Sequence, residues 1–140
     1  MGDIFRKVDL WGLSEGGELR GRVQGAMAIV DTGATRTVIS RGLGLRLGGP
    51  FVREESFEKR KVPIVLALVR LRDRGCEPRA ILVAVDDELA DRAGTDRQGK
   101  KVEIILGHDY LEAEGAAVRY RDRGDEVVCK AAGLRRLRKR

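Results

Sequence analysis

A mainly β fold is the class this 140-residue sequence predicts, and three observations carry the prediction. Short apolar runs rich in Val, Ile and Leu recur along the chain, glycine and charged clusters separate them, and little of the remainder reads as helix. A hydrophobic content of 42% beside a charged content of 36% is that of a globular chain able to bury one modest core. No apolar run approaches the roughly 20 residues that a membrane helix needs.

Each element follows from local pattern. Residues 4–10 read as a first strand, and Ser14-Glu15-Gly16-Gly17 as the turn after it. Residues 19–25 lead into an apolar run, 26–30, whose β-branched Ile29 and Val30 mark a buried strand. Asp31-Thr32-Gly33 breaks that run into a tight turn, and Thr37-Val38-Ile39 resumes the β pattern. Residues 41–47 suit a helical turn stopped by Gly48-Gly49-Pro50. The long apolar stretch 61–71 pairs with 79–85 across Asp73-Arg74-Gly75 as a core hairpin. Residues 86–101 are polar and helix-prone at the start, with 94–100 as an exposed loop. A last hairpin, 116–120 with 126–129, flanks the turn Arg121-Asp122-Arg123-Gly124-Asp125.

Asp31 is the residue whose chemistry stands out. A charged side chain at the end of a buried strand is costly unless something uses it, and a short loop between two strands is a rigid mount. The stretch Ile29-Val30-Asp31-Thr32-Gly33-Ala34, followed by Thr37-Val38-Ile39, resembles the active loop of retropepsin-like aspartic proteases, the single-lobed relatives of the retroviral enzymes. Further on, Val102-Glu103-Ile104-Ile105-Leu106-Gly107-His108-Asp109-Tyr110-Leu111 resembles the strand of that family that leads into its short helix. The resemblance spans roughly residues 3–129, with motif-grade identity in these two segments.

The resemblance implies a closed or partly open β-barrel with one short C-terminal helix, residues 108–114, behind the active loop. It implies one domain over residues 1–130, followed by a basic tail, 131–140, and a symmetric homodimer acting on a peptide or protein substrate. Aspartic proteases need two carboxylates sharing one proton, whereas this chain holds one Asp-Thr-Gly triplet, so the second aspartate is expected from a twofold-related copy. By the same resemblance Asp31 is catalytic, Thr32 bonds across the dimer axis, and Gly33 sets its amide against the Asp31 carboxylate. Ala34 and Thr35 line the substrate channel. The flap falls on residues 52–61, with Glu54, Glu55, Ser56 and Phe57 as its candidate residues. That segment holds no glycine, unlike the glycine-rich retroviral tip, and predicts a charged, less pliant flap. Thr35 also stands where the retroviral enzymes carry a charged residue.

Other features read more plainly. Cys76 and Cys129 lack metal-ligand spacing and are expected as two packed thiols, with no cofactor and no metal. His108, the single histidine, decorates a helix start, Trp11 serves as a core or dimer-contact aromatic, and residues 86–88 form a solvated acidic helix start. The first residues reach charge before any apolar stretch develops, so cytoplasmic location is the expectation. A net charge of +6, concentrated in Leu134-Arg135-Arg136-Leu137-Arg138-Lys139-Arg140, permits nucleic-acid contact through the tail, while an aromatic content of 4% argues against sequence-specific reading. The alternative to a protease is a catalytically silent dimer of the same fold that serves as a peptide- or nucleic-acid-binding module.

Overall fold

In the computed structural model, residues 3–48, 51–73, 75–119 and 126–129 are described. Gly49-Pro50, the turn 121–125 and the basic tail 131–140 lie outside the described residues. The strands are β1 (Ile4–Leu13), β2 (Leu19–Val30), β3 (Val38–Ile39), β4 (Phe51–Phe57), β5 (Arg60–Leu71), β6 (Arg79–Val85), β7 (Ile104–Leu106), β8 (Ala116–Arg119) and β9 (Glu126–Cys129). Between them come the short helices α1 (Arg41–Leu47), α2 (Asp87–Ala90) and α3 (His108–Glu114), with a 3-10 turn, Asp91–Ala93, directly after α2. No described helix is long and apolar enough to cross a membrane.

Strand order β1-β2-β7-β3-β6-β5-β4, with β1 also paired to β5, closes a ring of six strands and leaves β4 attached outside it. The ring is a closed β-barrel, one of the two forms, closed or partly open, that the family resemblance implies. The first strand runs past the expected 4–10: Val8, Asp9 and Leu10 already pair with Leu71, Arg70 and Val69 of β5, and Trp11 and Gly12 carry the pairing on to Leu68 and Ala67. β8 and β9 form a separate hairpin.

Strict alternation along the strands builds two cores. In β5 the odd-numbered Ala67, Val69 and Leu71 face the main core, while Val62 and Ile64 face a second cluster on the other side of the sheet. In β7, Ile104 and Leu106 enter the first and Ile105 the second. This is the period of two that puts successive side chains on opposite faces. Leu89, Ala90 and Ala93, from the polar-looking 86–101 segment, cover the second cluster. A helical turn on that face explains why the segment's few apolar residues are buried.

Asp9 is fully buried inside β1, and its carboxylate accepts from Gly25 N at 2.8 Å, Arg70 Nη2 at 2.6 Å and Arg72 Nε at 2.8 Å. Burial pushes this carboxyl up, but the two guanidinium groups and the Gly25 amide outweigh it and hold it below the usual carboxylate range. Gly25 sits at φ 63°, and a Cβ there would lie 2.9 Å from the Arg72 guanidinium. The Arg70 guanidinium lies 5.6 Å from the centroid of the Trp11 ring, which is half-buried.

The expectation of two free thiols is corrected. Cys76 and Cys129 form a disulfide, with Cα atoms 5.2 Å apart and 53 positions between them in sequence. The physical reason is tertiary: β9 returns against the connection that follows β5, and nothing in the local sequence around either cysteine encodes that approach.

Candidate active site

Asp31 occupies the loop between β2 and β3, and those two strands flank β7 on opposite sides. The loop therefore straddles the β7–α3 junction and is tied to it repeatedly. Asp31 N donates to Leu106 O at 2.9 Å, and His108 N donates to Ala34 O at 2.7 Å. Thr37, fully buried, donates its backbone N–H to Asp109 Oδ2 at 2.9 Å and its hydroxyl to Asp109 Oδ1 at 2.7 Å. The same hydroxyl accepts from Gly107 N at 3.1 Å. Glycine is required at that last position because a Cβ would stand 2.8 Å from Arg36 C and 2.9 Å from Ala34 O.

The Asp31 carboxylate is exposed, and its Oδ1 accepts from Gly33 N at 2.9 Å. It opens on a cleft of about 350 Å³. Ile29, Val38 and Ile105 form the apolar floor, Leu89 and Ala93 one wall, and Phe57 reaches in from the end of β4. Gly33, Ala34 and Thr35 line the cleft as well, while Thr32 is exposed beside it. Two cations, Arg36 and Arg92, stand at the rim.

The hairpin whose Phe57 lines this cleft joins β4 to β5 through a two-residue turn, Glu58-Lys59, with φ of 50° and 68°. Positive φ at both central residues matches the twist of the strands, a conformation in which Asn or Gly is the usual choice. Of the flap candidates, Glu55 and Phe57 are partly buried, whereas Glu54 and Ser56 are exposed on the alternate face of the strand. Glu55 accepts from Arg36 Nη2 at 2.6 and 2.7 Å and from Arg53 Nη2 at 2.7 Å. Burial pushes the Glu55 carboxyl up, yet Arg53 and Arg36 together hold it below the usual carboxylate range. At the turn, Arg92 Nη2 donates to Glu58 Oε2 at 2.5 Å. Arg60 is forked on Asp86 at 2.8 and 2.7 Å, and Asp86 also caps α2 by accepting from Leu89 N.

Asp109, Arg36 and Arg92 are the site residues that sequence reading missed. Asp109 lies inside the second motif segment, two residues past Gly107, and an acid in the first helical turn is the only cue it offers. His108, by contrast, sits exposed at the start of α3, 3.6 Å from Glu112. Among the described residues no group of three His, Cys, Asp or Glu side chains is placed to hold a metal ion.

No protein-family model matches the sequence, and neither does any curated protein. Solved structures do match in shape. A retropepsin-like aspartic protease from Rickettsia conorii is similar with a TM-score of 0.50 at 15% identity, over 91% of this chain and 93% of that one. The retroviral protease-like domain of Ddi1 from Leishmania major is similar with a TM-score of 0.48 at 14% identity, over 89% and 92%. The fold of this chain is thus the retropepsin-like barrel, as its two motif segments predict.

Proposed function

We propose that this chain is an aspartic endopeptidase that works as a twofold homodimer, with Asp31 of each subunit meeting on the axis. The observation that carries this reading is an exposed carboxylate held on a loop braced by hydrogen bonds through the buried Thr37, beside an apolar cleft. One carboxylate in isolation has no partner for a proton relay; two facing each other cannot both ionise cheaply, so the pair holds one proton. The ionised member takes a proton from water as that water attacks the peptide carbonyl carbon. The protonated member gives its proton to the carbonyl oxygen. The tetrahedral diol then breaks its C–N bond while a proton passes to the departing nitrogen.

In this scheme Thr32 bonds across the axis, and the Gly33 amide orients the Asp31 carboxylate. Ala34 and Thr35 meet the extended substrate backbone, as in strand addition. The β4–β5 hairpin, with Glu54, Glu55, Ser56 and Phe57, serves as the flap. The cytoplasmic setting belongs to the same proposal, although the Cys76–Cys129 bridge is of a kind that a reducing cytosol seldom keeps.

The test is digestion of a peptide library by the wild type and by Asp31→Asn, between about pH 3 and about pH 8, with sedimentation of both proteins. The expected result is cleavage strongest on the acid side, where the pair carries a proton, and a loss of roughly 10³-fold or more in the variant. Retained cleavage by Asp31→Asn, or sedimentation as a monomer at the concentrations that cleave, would overturn the mechanism.

A further inference from the structure

The two arginines at the rim of the cleft each carry a carboxylate of the hairpin, but they hold it differently. Arg36 grips both oxygens of Glu55, the two side chains being 24% and 22% exposed, and its other Nη donates to Leu82 O at 3.2 Å. Arg92 reaches a single oxygen of Glu58, with the side chains 52% and 64% exposed. A carboxylate held through both its oxygens and partly desolvated stays with its cation, whereas an exposed single contact contributes little and exchanges readily with other anions. Arg60, the neighbouring cation, is committed to Asp86 and Glu88.

One guanidinium at the cleft wall is therefore open to a competing carboxylate. We propose, resting on the peptidase reading above, that Arg92 determines specificity: the cleft prefers a peptide that seats an apolar side chain among Ile29, Ile105, Leu89, Ala93 and Phe57 and presents a nearby Asp or Glu to Arg92 in place of Glu58. Exchanging one carboxylate for another leaves the charge at the wall unchanged, so neither partner is stranded. The displaced Glu58, at the exposed turn, returns to water at small cost. A net charge of +6 also draws acidic peptides toward the molecule.

The experiment compares kcat/KM for matched peptides that differ only in carrying Glu, Gln or Lys beside the apolar residue, at each neighbouring position in turn. Wild type is expected to prefer Glu over Gln by about fivefold at its best position, with Lys the poorest. Glu58→Gln widens that preference by removing the competitor. Arg92→Gln brings the Glu and Gln peptides to the same kcat/KM, and Arg92→Glu turns the preference toward Lys, a gain that misfolding cannot imitate. Absence of a Glu preference in wild type, or the same preference in both Arg92 variants, overturns the proposal. If wild type cleaves none of these peptides, the peptidase reading fails separately, and binding of the same peptides to Asp31→Asn by fluorescence anisotropy decides. Tighter binding of the Glu peptide, abolished by adding Arg92→Gln, sustains Arg92 as the selector; equal or undetectable binding of all three refutes it.

Discussion

Five hydrogen bonds tie the loop carrying Asp31 to the β7–α3 junction, and all of them involve at least one backbone group or the buried Thr37 hydroxyl. The hairpin whose Phe57 lines the same cleft carries guanidinium–carboxylate pairs that grow more exposed toward its turn, from Arg36–Glu55 at 24% and 22% to Arg92–Glu58 at 52% and 64%. Buried hydrogen bonds that leave stranded groups when broken are costly to open, whereas exposed ion pairs are cheap and weaken with salt. The difference teaches where this barrel puts stiffness: in the loop under the carboxylate and least at the hairpin turn, which on the proposed peptidase reading is where a peptide passes.

The largest way to break that contrast is Asp109→Ala. It strands the Thr37 amide and hydroxyl in a fully buried site, and the expected loss is about 2–4 kcal/mol of unfolding free energy, with cleavage falling alongside. Denaturant melts measure it, and Asp109→Asn, which keeps one carbonyl oxygen, costs less than half as much. Gly107→Ala comes next. Its Cβ meets backbone atoms of Arg36 and Ala34 that cannot step aside as a flexible side chain would, so about 1–3 kcal/mol is expected in the same assay.

The smallest effect sharpens the other side of the comparison. Because the Glu55 carboxyl is held below its ordinary range, its pairing with Arg36 and Arg53 contributes fully above the unfolded pKa of about 4.3 and is lost as pH falls through the lowered folded value. Protection of the β4 amides against hydrogen exchange, measured relative to the intrinsic rate at each pH, is expected to fall as acid is added below about pH 4, and to fall with salt at neutral pH, while that of the Asp31 and Thr37 amides holds. Equal salt response at both places would erase the distinction.

Periodic features were legible in the sequence and single polar contacts were not. Whereas the helix 108–114 follows only from the family resemblance, the hairpin of β5 with β6, the turn at Ser14-Glu15-Gly16-Gly17 and the helix 41–47 announce themselves through apolar alternation or glycine punctuation. So does the loop holding Asp31, because an acid directly after Ile29-Val30 breaks a pattern that would otherwise continue. Asp109, Arg36 and Asp9 carry no such signature. Each acts on partners tens of positions away: Thr37 lies 72 residues from Asp109, and Arg70 lies 61 from Asp9. Closure of the ring is of the same kind, since β1 meets β5 only in three dimensions. The approach of β9 to the β5–β6 connection hides the disulfide for the same reason.

That bridge has a consequence for any cut made in this chain. Residues 76 and 129 bracket α2, the exposed loop 94–100, β7 and α3, so any nick within that span leaves both fragments covalently joined. On a gel run without reductant such a molecule migrates as though whole, and a cut at the loop becomes visible only once the sulfurs are separated.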